Sequence, residues 1–296
     1  MINLYQSSYE WVQGIYHYDT SNPWPHIVIS CLTHWWELLW LRVIEYLLNE
    51  YTICPKLTLW SITFMISNIK AYEHFLQTND MAWSRYIDEN MNRCATSETI
   101  CYWSSSEAKR LREIVPFLEI ADYHIDIHST SQSAKSMAIY TSRSMWLYQH
   151  IINADEHYQD LILYQKGSPL IDICETHWWY GLWLETGREW DSKAYHNGVE
   201  NVLSVLHHLW MIDSVDMRPE PKSNTVYCII GSIMVSDAKT FIPTKHYQHN
   251  EYIISWTIIA HQDWKPITIN TDCMIVMPSK QIIWWEEYCF LAAGKW

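Results

Sequence analysis

The order of apolar segments constrains the fold of this chain more than any other feature. Short, nearly continuous apolar runs, typical of buried strands, alternate with longer segments whose apolar residues recur at helical spacing. "HIVIS" (His26 to Ser30) is such a run, and "ELLWLRVIEYLLNE" (Glu37 to Glu50) follows it as a helix. "YHIDIH" (Tyr123 to His128) and "GLWLE" (Gly181 to Glu185) indicate further strands. This alternation predicts an α/β fold with a mainly parallel mixed sheet flanked by helices.

The same patterns predict the remaining elements of the α/β part. Strands are expected in "LTLWSITFMIS" (Leu57 to Ser67) and "SMAIYTS" (Ser136 to Ser142), and helices in "SEAKRLREIVPFLEIA" (Ser106 to Ala121), "SMWLYQHIINADEHYQDLILYQ" (Ser144 to Gln165) and "AYHNGVENVLSVLHHLWMI" (Ala194 to Ile212). We expect the first of these helices to open with a serine cap and to be interrupted near Pro116, because proline lacks the amide N–H and its ring clashes with the preceding turn.

The character of the chain changes at the polar stretch "DSVDMRPEPKSN" (Asp213 to Asn224), which contains two prolines and is typical of a linker. Beyond it, short β-prone runs are separated by polar turns: "TVYCIIGSIMV", "EYIISWTIIA" and "PITINTDCMIVMP". This spacing predicts a β domain. We therefore expect an α/β domain in residues 1–217 and a smaller C-terminal β domain in residues 218–296.

Composition excludes several classes of partner. The chain has 20 basic and 33 acidic residues, a net charge of -13, and no run of Lys or Arg that would follow a phosphate backbone. Its eight cysteines are scattered without a CxxC pair, its N-terminus lacks a basic segment followed by an apolar one, and no uncharged apolar stretch of about 18 residues occurs. We expect a cytoplasmic protein without nucleic-acid or membrane partners, and a homo-oligomer is compatible with this sequence.

Reactive side chains follow three of the predicted strands. His34 comes after the first strand, His128 ends "YHIDIH", and Glu185 ends "GLWLE". Ligands of open α/β sheets bind outside the carboxyl ends of the strands, so these side chains should meet at one edge. Glu37, three residues after His34, adds a second carboxylate. Two imidazoles and one carboxylate leave a fourth position open, as catalytic zinc requires, and Glu185 is then free to act as general base.

Each of these residues also has a more ordinary interpretation. A single H-x-x-E occurs often by chance in a chain with 15 histidines. Asp126, in "DIH", is either a support for a metal ligand or a polar residue at a strand end. The segment "THWWYGLWLE" (Thr176 to Glu185), which echoes "THWWE" (Thr33 to Glu37), is also compatible with an amphipathic helix whose tryptophans lie in the core. The order and context of the whole set decide between these interpretations.

Four motifs carry a resemblance to a known family. In chain order they are "THWWE" (Thr33 to Glu37), "SRYIDENMNR" (Ser84 to Arg93), "DIHSTSQSAKSMAIYT" (Asp126 to Thr141) and "LETG" (Leu184 to Gly187). Their order and spacing resemble the succinylglutamate desuccinylase/aspartoacylase family of the zinc carboxypeptidase superfamily. The second motif is similar to the family signature R-[YF]-x-D-x-D-x-N-R, with Asn90 in place of the second Asp. The C-terminal "DCMIVMP" and "EYCFLAAG" resemble the β domain of its bacterial members.

The resemblance implies a role for each matching residue. His34, Glu37 and His128 would bind one zinc ion per chain, and Glu185 would activate water. Arg85 would polarise the scissile carbonyl and stabilise the oxyanion, while Asn92 and Arg93 would bind a substrate carboxylate. The implied function is hydrolysis of the amide bond of an N-acylated amino acid, or a similar small anionic molecule, by metal-activated water without a covalent intermediate. Residues 1–217 would form the catalytic domain.

Two other functions stay open. Trp35 and Trp36 stand where the family has Gly and Asn, and glycine takes backbone conformations closed to other residues. If Trp35 needs a positive φ or points into the site, the protein is a folded, inactive relative that binds a ligand or partner. A carboxypeptidase acting on peptides is disfavoured, because the β domain resembles that of the branch acting on small molecules.

Glycine is scarce in this chain. A chain of this length usually has about 20 glycines, whereas this one has 7 Gly and 19 Trp. Trp264, in "HQDWKP", occupies a place where Asp-Gly would be the natural turn. We interpret the sequence as an altered or strongly drifted version of a glycine-richer parent, and we expect Trp264→Gly to raise stability.

Overall fold

The computed structural model describes residues 11–20, 22, 25–57, 60–78, 85–130, 135–148, 151–160, 169–176, 180–213, 225–280, 282–283 and 286–295. The chain divides into two compact units, one formed by residues 1–156 and 163–224 and the other by residues 157–162 and 225–296. Apart from Asp213, the expected linker lies outside the described residues. The boundary at residue 217 therefore stays a prediction.

The described elements follow one another along both units. In chain order they are β1 (Ile15–Asp19), β2 (His26–Cys31), α1 (Leu39–Glu45) with a π-helical continuation (Tyr46–Glu50), α2 (Ile53–Lys56), β3 (Ser61–Ile66), α3 (Ile69–Thr78), α4 (Met91–Cys94), α5 (Ser97–Tyr102), α6 (Ser106–Glu119), β4 (Tyr123–Thr130), β5 (Met137–Tyr140), α7 (Ser142–Tyr148), β6 (Glu156–Asp160), α8 (Leu170–Thr176), β7 (Tyr180–Arg188), α9 (Ser192–His208), β8 (Val226–Met234), β9 (Ile242–Pro243), β10 (Glu251–Ile253), β11 (Ile258–Gln262), β12 (Lys265–Thr268), β13 (Cys273–Val276) and β14 (Glu287–Lys295).

The strands of the first unit pair in the order β1-β3-β2-β4-β7-β5. Strands β3, β2, β4 and β7 are parallel to one another, whereas β1 and β5 pair in antiparallel fashion with β3 and β7. All residues of β2 and β3 are buried, as expected for parallel strands covered on both faces. Helices α8 and α9 contact β7. The expected mainly parallel mixed sheet flanked by helices is confirmed.

Helix α9 approaches α1 closely, and a glycine makes this possible. A Cβ atom at Gly198 would lie 2.1 Å from the ring of Trp40, which is fully buried in α1. Any side chain at this position would therefore push the two helices apart. Since α1 begins directly after the segment that carries His34 and Glu37, this packing holds that segment in place at the end of β2.

The expected interruption at Pro116 is wrong, because α6 continues through it to Glu119. Its buried face includes Leu111 and Ile114 before the proline and Leu118 after it. This apolar packing on both sides offsets the loss of one backbone hydrogen bond in the helix. The cap is confirmed one residue earlier than expected, since the Ser105 side chain accepts a hydrogen bond from the Ala108 amide.

The expected helical character of residues 144–165 is only partly correct. Helix α7 is present, but Glu156–Asp160 forms strand β6, and residues 149–150 and 161–168 lie outside the described part. The sequence "EHYQD" lacks the apolar pattern of a strand. It becomes one by pairing in parallel with β8, where His157 lies opposite Val226. Such a tertiary contact overrides local propensity.

The elements described in the second unit are all β strands. In one sheet they pair in the order β6-β8-β14-β13-β10, and β12, β11 and β9 form a three-stranded antiparallel sheet. Their apolar core includes Phe241, Tyr247, Ile259 and Ile275. Apart from residues 157–162, this unit corresponds to the smaller C-terminal β domain of the expected fold class. No helix in the described parts of the chain is long and apolar enough to cross a membrane.

Several tryptophans adopt the left-handed backbone conformation that favours glycine. Asp263 and Trp264 form the two-residue loop between β11 and β12, with φ of 50° and 64°. A hairpin loop with two positive φ angles normally contains Asn-Gly or Asp-Gly. Trp60, Trp210 and Trp256 also have positive φ, and Trp210 directly follows the C-terminal cap of α9. The backbone at Trp264 therefore has the geometry on which the stability prediction depends.

Candidate functional site

The segment between β2 and α1 carries two of the candidate ligands on a tight turn. After β2 ends at Cys31, Leu32 adopts a left-handed conformation with φ of 56°. The Glu37 amide donates to the His34 carbonyl at 3.2 Å, and the His34 amide donates to Glu37 Oε2 at 3.3 Å. The turn therefore directs both side chains to the same place at the carboxyl end of β2.

His128 joins these two residues from the neighbouring strand β4. Glu37 Oε1 lies 2.9 Å from His34 Nδ1 and 3.1 Å from His128 Nδ1. One candidate ligand atom from each of the three residues lies within 4.8 Å of the others, and all three side chains are buried. The structure thus brings together the three metal ligands that the sequence predicted.

The charges of this cluster favour a cation at its centre. Burial opposes ionisation of Glu37, but the imidazoles of His128 and His34 lower its pKa to about 2. Burial likewise opposes the charged form of His128, yet the Asp126 and Glu37 carboxylates raise its pKa well above the ordinary value. Two imidazole nitrogens and a carboxylate oxygen are donors that zinc prefers. The donor set and its negative surroundings therefore fit a zinc ion.

Asp126 orients His128 from the same strand. Its Oδ2 atom lies 2.7 Å from His128 Nε2, and its Oδ1 atom accepts hydrogen bonds from Ser30 Oγ at 2.6 Å and Thr33 Oγ1 at 3.3 Å. A carboxylate on one ring nitrogen fixes the other ring nitrogen toward a metal. The sequence left Asp126 either as a support for a metal ligand or as a polar residue at a strand end. These contacts favour the first interpretation.

Glu185 lies beside the cluster on β7, where it pairs in register with His128 of β4. Its Oε1 atom accepts a hydrogen bond from the Trp183 indole at 3.1 Å, and its buried Oε2 atom has no hydrogen-bond partner among the described residues. Burial raises the pKa of Glu185 to about 7. A carboxyl group with a pKa near neutrality is suited to proton transfer.

The segment from Arg85 to Arg93 also reaches the cluster. The positive charge of Arg85 contributes to lowering the pKa of His34, after the larger effect of burial. Asn92 Nδ2 lies 3.0 Å from His128 Nε2, and Asn92 Oδ1 accepts a hydrogen bond from the Leu170 amide. Arg93 donates to the Asn92 carbonyl, and its guanidinium lies 5.7 Å above the ring of Trp183.

Asn90, which stands at the second Asp of the signature, contacts both this segment and the cluster. Its Oδ1 atom caps the short helix α4 by accepting from the Asn92 amide at 3.1 Å. The same atom lies 3.2 Å from His34 Nε2. Asn90 therefore retains an oxygen acceptor for the outer nitrogen of a candidate ligand, but without a charge.

Trp35 does not disturb the turn in the two ways considered from the sequence. Neither Trp35 nor Trp36 has a positive φ. The Trp35 side chain is buried and stacks on Phe75 of α3, with ring centroids 3.7 Å apart. The indole thus packs against α3. The second "THWW" sequence cannot be compared with it, because residues 177–179 lie outside the described part.

The buried carboxylate of Glu189 lies near the site, and the sequence patterns predicted no role for it. Glu189, which follows β7, accepts a hydrogen bond from the Leu39 amide at 2.7 Å and another from Ser129 Oγ. It therefore links the start of α1 to the end of β4. Leu39 lies 150 residues from Glu189 along the chain, and Ser129 lies 60 residues from it. No local sequence pattern predicts such contacts.

Comparison with known proteins shows a similarity to one family. Residues 23–154 match the family model described as the succinylglutamate desuccinylase/aspartoacylase catalytic domain. No curated protein sequence matches the chain. Many solved structures share its fold.

Three of these structures illustrate the similarity. The chain is 15% identical to the succinylglutamate desuccinylase from Vibrio cholerae, with a TM-score of 0.71 over 95% of this chain and 86% of that chain. For murine aminoacylase 3 the identity is 16% and the TM-score 0.63, over 93% of this chain and 97% of that one. The ectoine utilization protein EutE (DoeB) from Ruegeria pomeroyi, a product-bound structure, is 12% identical with a TM-score of 0.65, over 95% of this chain and 88% of that one.

At such identities the similarity shows the fold. Together with the family model, it confirms the resemblance: this chain has the fold of the succinylglutamate desuccinylase/aspartoacylase family, and its residues 23–154 match the family's catalytic domain.

Proposed function

We propose that this protein is a zinc-dependent deacylase that hydrolyses the amide bond of an N-acylated amino acid or a similar small carboxylate. The observation that carries the proposal is the convergence of His34, Glu37 and His128 beside Glu185, whose Oε2 atom is not hydrogen-bonded by any described residue. The match to a deacylase catalytic domain supports the same reaction class. We assign the catalytic role to residues 1–217 and treat residues 218–296 as the accompanying β domain.

His34, Glu37 and His128 would hold one zinc ion per chain through the two Nδ1 atoms and a Glu37 carboxylate oxygen. A bound zinc ion supplies Lewis acidity, which polarises a carbonyl group and makes water more acidic. Asp126 keeps the outer nitrogen of His128 occupied, so that Nδ1 faces the other two ligands. This arrangement leaves the reaction to water and the neighbouring side chains, without a covalent intermediate.

Glu185 acts as the general base. Its Oε1 atom is held by the Trp183 indole, which leaves Oε2 to accept a proton from the attacking water. The same carboxyl group then donates the proton to the departing amine. A pKa of about 7 suits both steps, because the group gains and loses a proton easily near neutral pH.

Arg85, Asn92 and Arg93 bind and polarise the substrate. In a chain with a net charge of -13, two arginines in one short segment beside the cluster create a local attraction for anions. Arg85 would donate hydrogen bonds to the developing oxyanion, and the Arg93 guanidinium matches the geometry of a carboxylate. Asn92 would contribute an amide hydrogen bond. The expected substrate is therefore a small anionic N-acyl compound.

The test is metal content followed by activity. Protein purified without added metal is analysed for zinc beside His128→Ala and the control His26→Ala, which removes a buried histidine at the opposite end of β2. About one zinc per chain, lost only in His128→Ala, followed by hydrolysis of N-succinyl-L-glutamate or N-acetyl-L-aspartate, supports the proposal. Absence of zinc after incubation with excess metal contradicts it and favours the inactive, ligand-binding relative.

A further inference from the structure

Glu107, in the first turn of α6, binds three successive backbone amides with one buried carboxylate. Its Oε1 atom accepts from the Ile87 amide at 2.7 Å, and its Oε2 atom accepts from the Asp88 amide at 3.1 Å and the Glu89 amide at 3.3 Å. Asn68 Nδ2 donates to Oε1 at 3.2 Å. The Glu107 side chain is fully buried. Four donors therefore converge on a single anion.

This arrangement gives the segment a defined shape. Successive backbone N–H groups that point to one place form an anion-binding concavity, and hydrogen bonds to a charged acceptor are stronger than neutral ones. Residues 85–89 form no helix or strand, so their amides gain no partners from regular structure. The conformation of residues 87–89 thus depends on the Glu107 carboxylate.

A second contact joins the same two segments, but here α6 supplies the backbone amide and the segment supplies the carboxylate. Asp88 Oδ2 accepts a hydrogen bond from the Ser106 amide at 2.7 Å, at the N-terminus of α6. A carboxylate at a helix N-terminus is favoured by the unpaired amides and the helix dipole. The start of α6 and residues 87–89 therefore hold each other through two carboxylates.

Helix α6 is itself fixed to the central sheet. Arg110, one turn beyond Glu107, donates to the carbonyls of Ile66 and Ser67 at the end of β3. Asn68, which donates to Glu107, follows directly. The Glu107 carboxylate is therefore held at a fixed place relative to the parallel strands that carry the metal-ligand cluster.

The segment that Glu107 holds lies between Arg85, whose charge acts on His34, and two asparagines that contact the cluster. Arg85 precedes it, and Asn90 and Asn92 follow it, within 3.2 Å and 3.0 Å of the outer nitrogens of His34 and His128. We propose that Glu107 is a positioning residue, which sets the place of Arg85, Asn92 and Arg93 relative to the cluster without touching substrate. This inference rests on the proposed deacylase function.

The experiment compares wild type with Glu107→Gln, which keeps the shape of the side chain but turns an NH2 group toward backbone amides. Leu118→Ala, on the same helix, is the control for general destabilisation, because Leu118 is fully buried in the core. Three quantities are measured: hydrogen exchange of peptides covering residues 85–93, zinc content, and the kcat and KM for N-succinyl-L-glutamate.

In Glu107→Gln we expect the amides of residues 87–89 to exchange about 10-fold faster. We expect kcat/KM to fall by about 10- to 100-fold, since small displacements of catalytic groups have large effects on rate. Zinc content should stay at about one per chain, because the ligands lie on other segments. Leu118→Ala should lower the melting temperature but keep kcat/KM within about 2-fold of wild type.

Unchanged exchange or unchanged kcat/KM in Glu107→Gln would overturn the inference. If wild type hydrolyses none of the N-acyl amino acids, the proposed function fails, and calorimetric binding of N-succinyl-L-glutamate replaces kinetics. If Glu107→Gln then binds N-succinyl-L-glutamate more weakly and its residue 87–89 amides exchange faster, the positioning role is retained. If its binding is unchanged, the positioning role is excluded. Should Glu107→Gln fail to fold, Asp88→Ala at an exposed position breaks the reciprocal contact, and the same outcomes apply to it.

Discussion

The indole of Trp35 lies parallel to the ring of Phe75, with an interplanar angle of 18° and centroids 3.7 Å apart. This stacking packs the tryptophan between His34 and Glu37 against α3. A side chain that contributes to packing therefore stands where the resemblance implies a glycine. The turn keeps the spacing of His34 and Glu37 because Trp35 needs no left-handed conformation.

We expect Trp35→Ala to lower the free energy of unfolding by about 3 kcal/mol, since truncating a buried aromatic residue leaves a cavity. Zinc content should be unchanged, because both ligands of the turn remain. Urea unfolding and elemental analysis measure the two effects. A variant as stable as wild type would show that the stacking contributes nothing.

Trp264→Gly should have the opposite effect on stability. Trp264 is 89% exposed, so its removal costs little packing, and a left-handed conformation costs a residue with a Cβ atom about 1 kcal/mol. We expect a gain in the free energy of unfolding of about 1 kcal/mol, seen as a higher melting temperature. Trp190→Gly is the matched control, because Trp190 is exposed but has no positive φ. A lower melting temperature for Trp264→Gly would refute the expectation.

The sequence predicts the part of the site that depends on local patterns. Strands β2, β4 and β7 are recognisable as apolar runs, and the rule that ligands bind at the carboxyl ends of strands indicates that His34, His128 and Glu185 meet. Strand β6 was missed because its pairing with β8, not its composition, makes it a strand.

The buried carboxylates that support the site are harder to predict. Glu107 and Glu189 bind backbone amides that are 18 to 20 and 150 residues away along the chain. A backbone amide is present at almost every residue, so no side-chain spacing marks such a contact. On a helix or a strand end, each glutamate is indistinguishable in sequence from a solvated one.

Glu189 should make stability depend on pH. Burial raises its pKa to about 7, against 4.5 for the ordinary group. The folded state therefore binds the proton more tightly, so this contribution to stability is complete below pH 4.5 and is lost as the pH rises through 7. The loss is at most about 1.4 kcal/mol per pH unit. Urea unfolding of wild type and Glu189→Gln between pH 4.5 and 8 measures it, and we expect a flatter profile in the variant. Identical profiles would exclude Glu189 as the source.

Glu185→Gln should abolish most of the hydrolysis and leave zinc in place. The amide has no basic oxygen to accept a proton, and loss of a general base typically lowers kcat by about 100- to 10,000-fold. Zinc content is unaffected because the three candidate ligands are unchanged. Elemental analysis and initial rates on N-succinyl-L-glutamate test both parts. A variant with wild-type kcat would assign the base to another residue.

Trp183→Phe should lower kcat by removing the hydrogen bond that holds Glu185. The indole donates to Glu185 Oε1 at 3.1 Å, whereas phenylalanine keeps an aromatic ring without a donor. We expect kcat to fall by about 10-fold, since a loosely held base reaches the productive geometry less often. Trp40→Phe is the control, because Trp40 is also buried and its indole nitrogen has no hydrogen-bond partner among the described residues. The Trp40→Phe substitution also removes an indole N–H group, but one that is not hydrogen-bonded to Glu185. Equal effects of the two variants on kcat would show that loss of packing, and not of the contact with Glu185, slows the reaction.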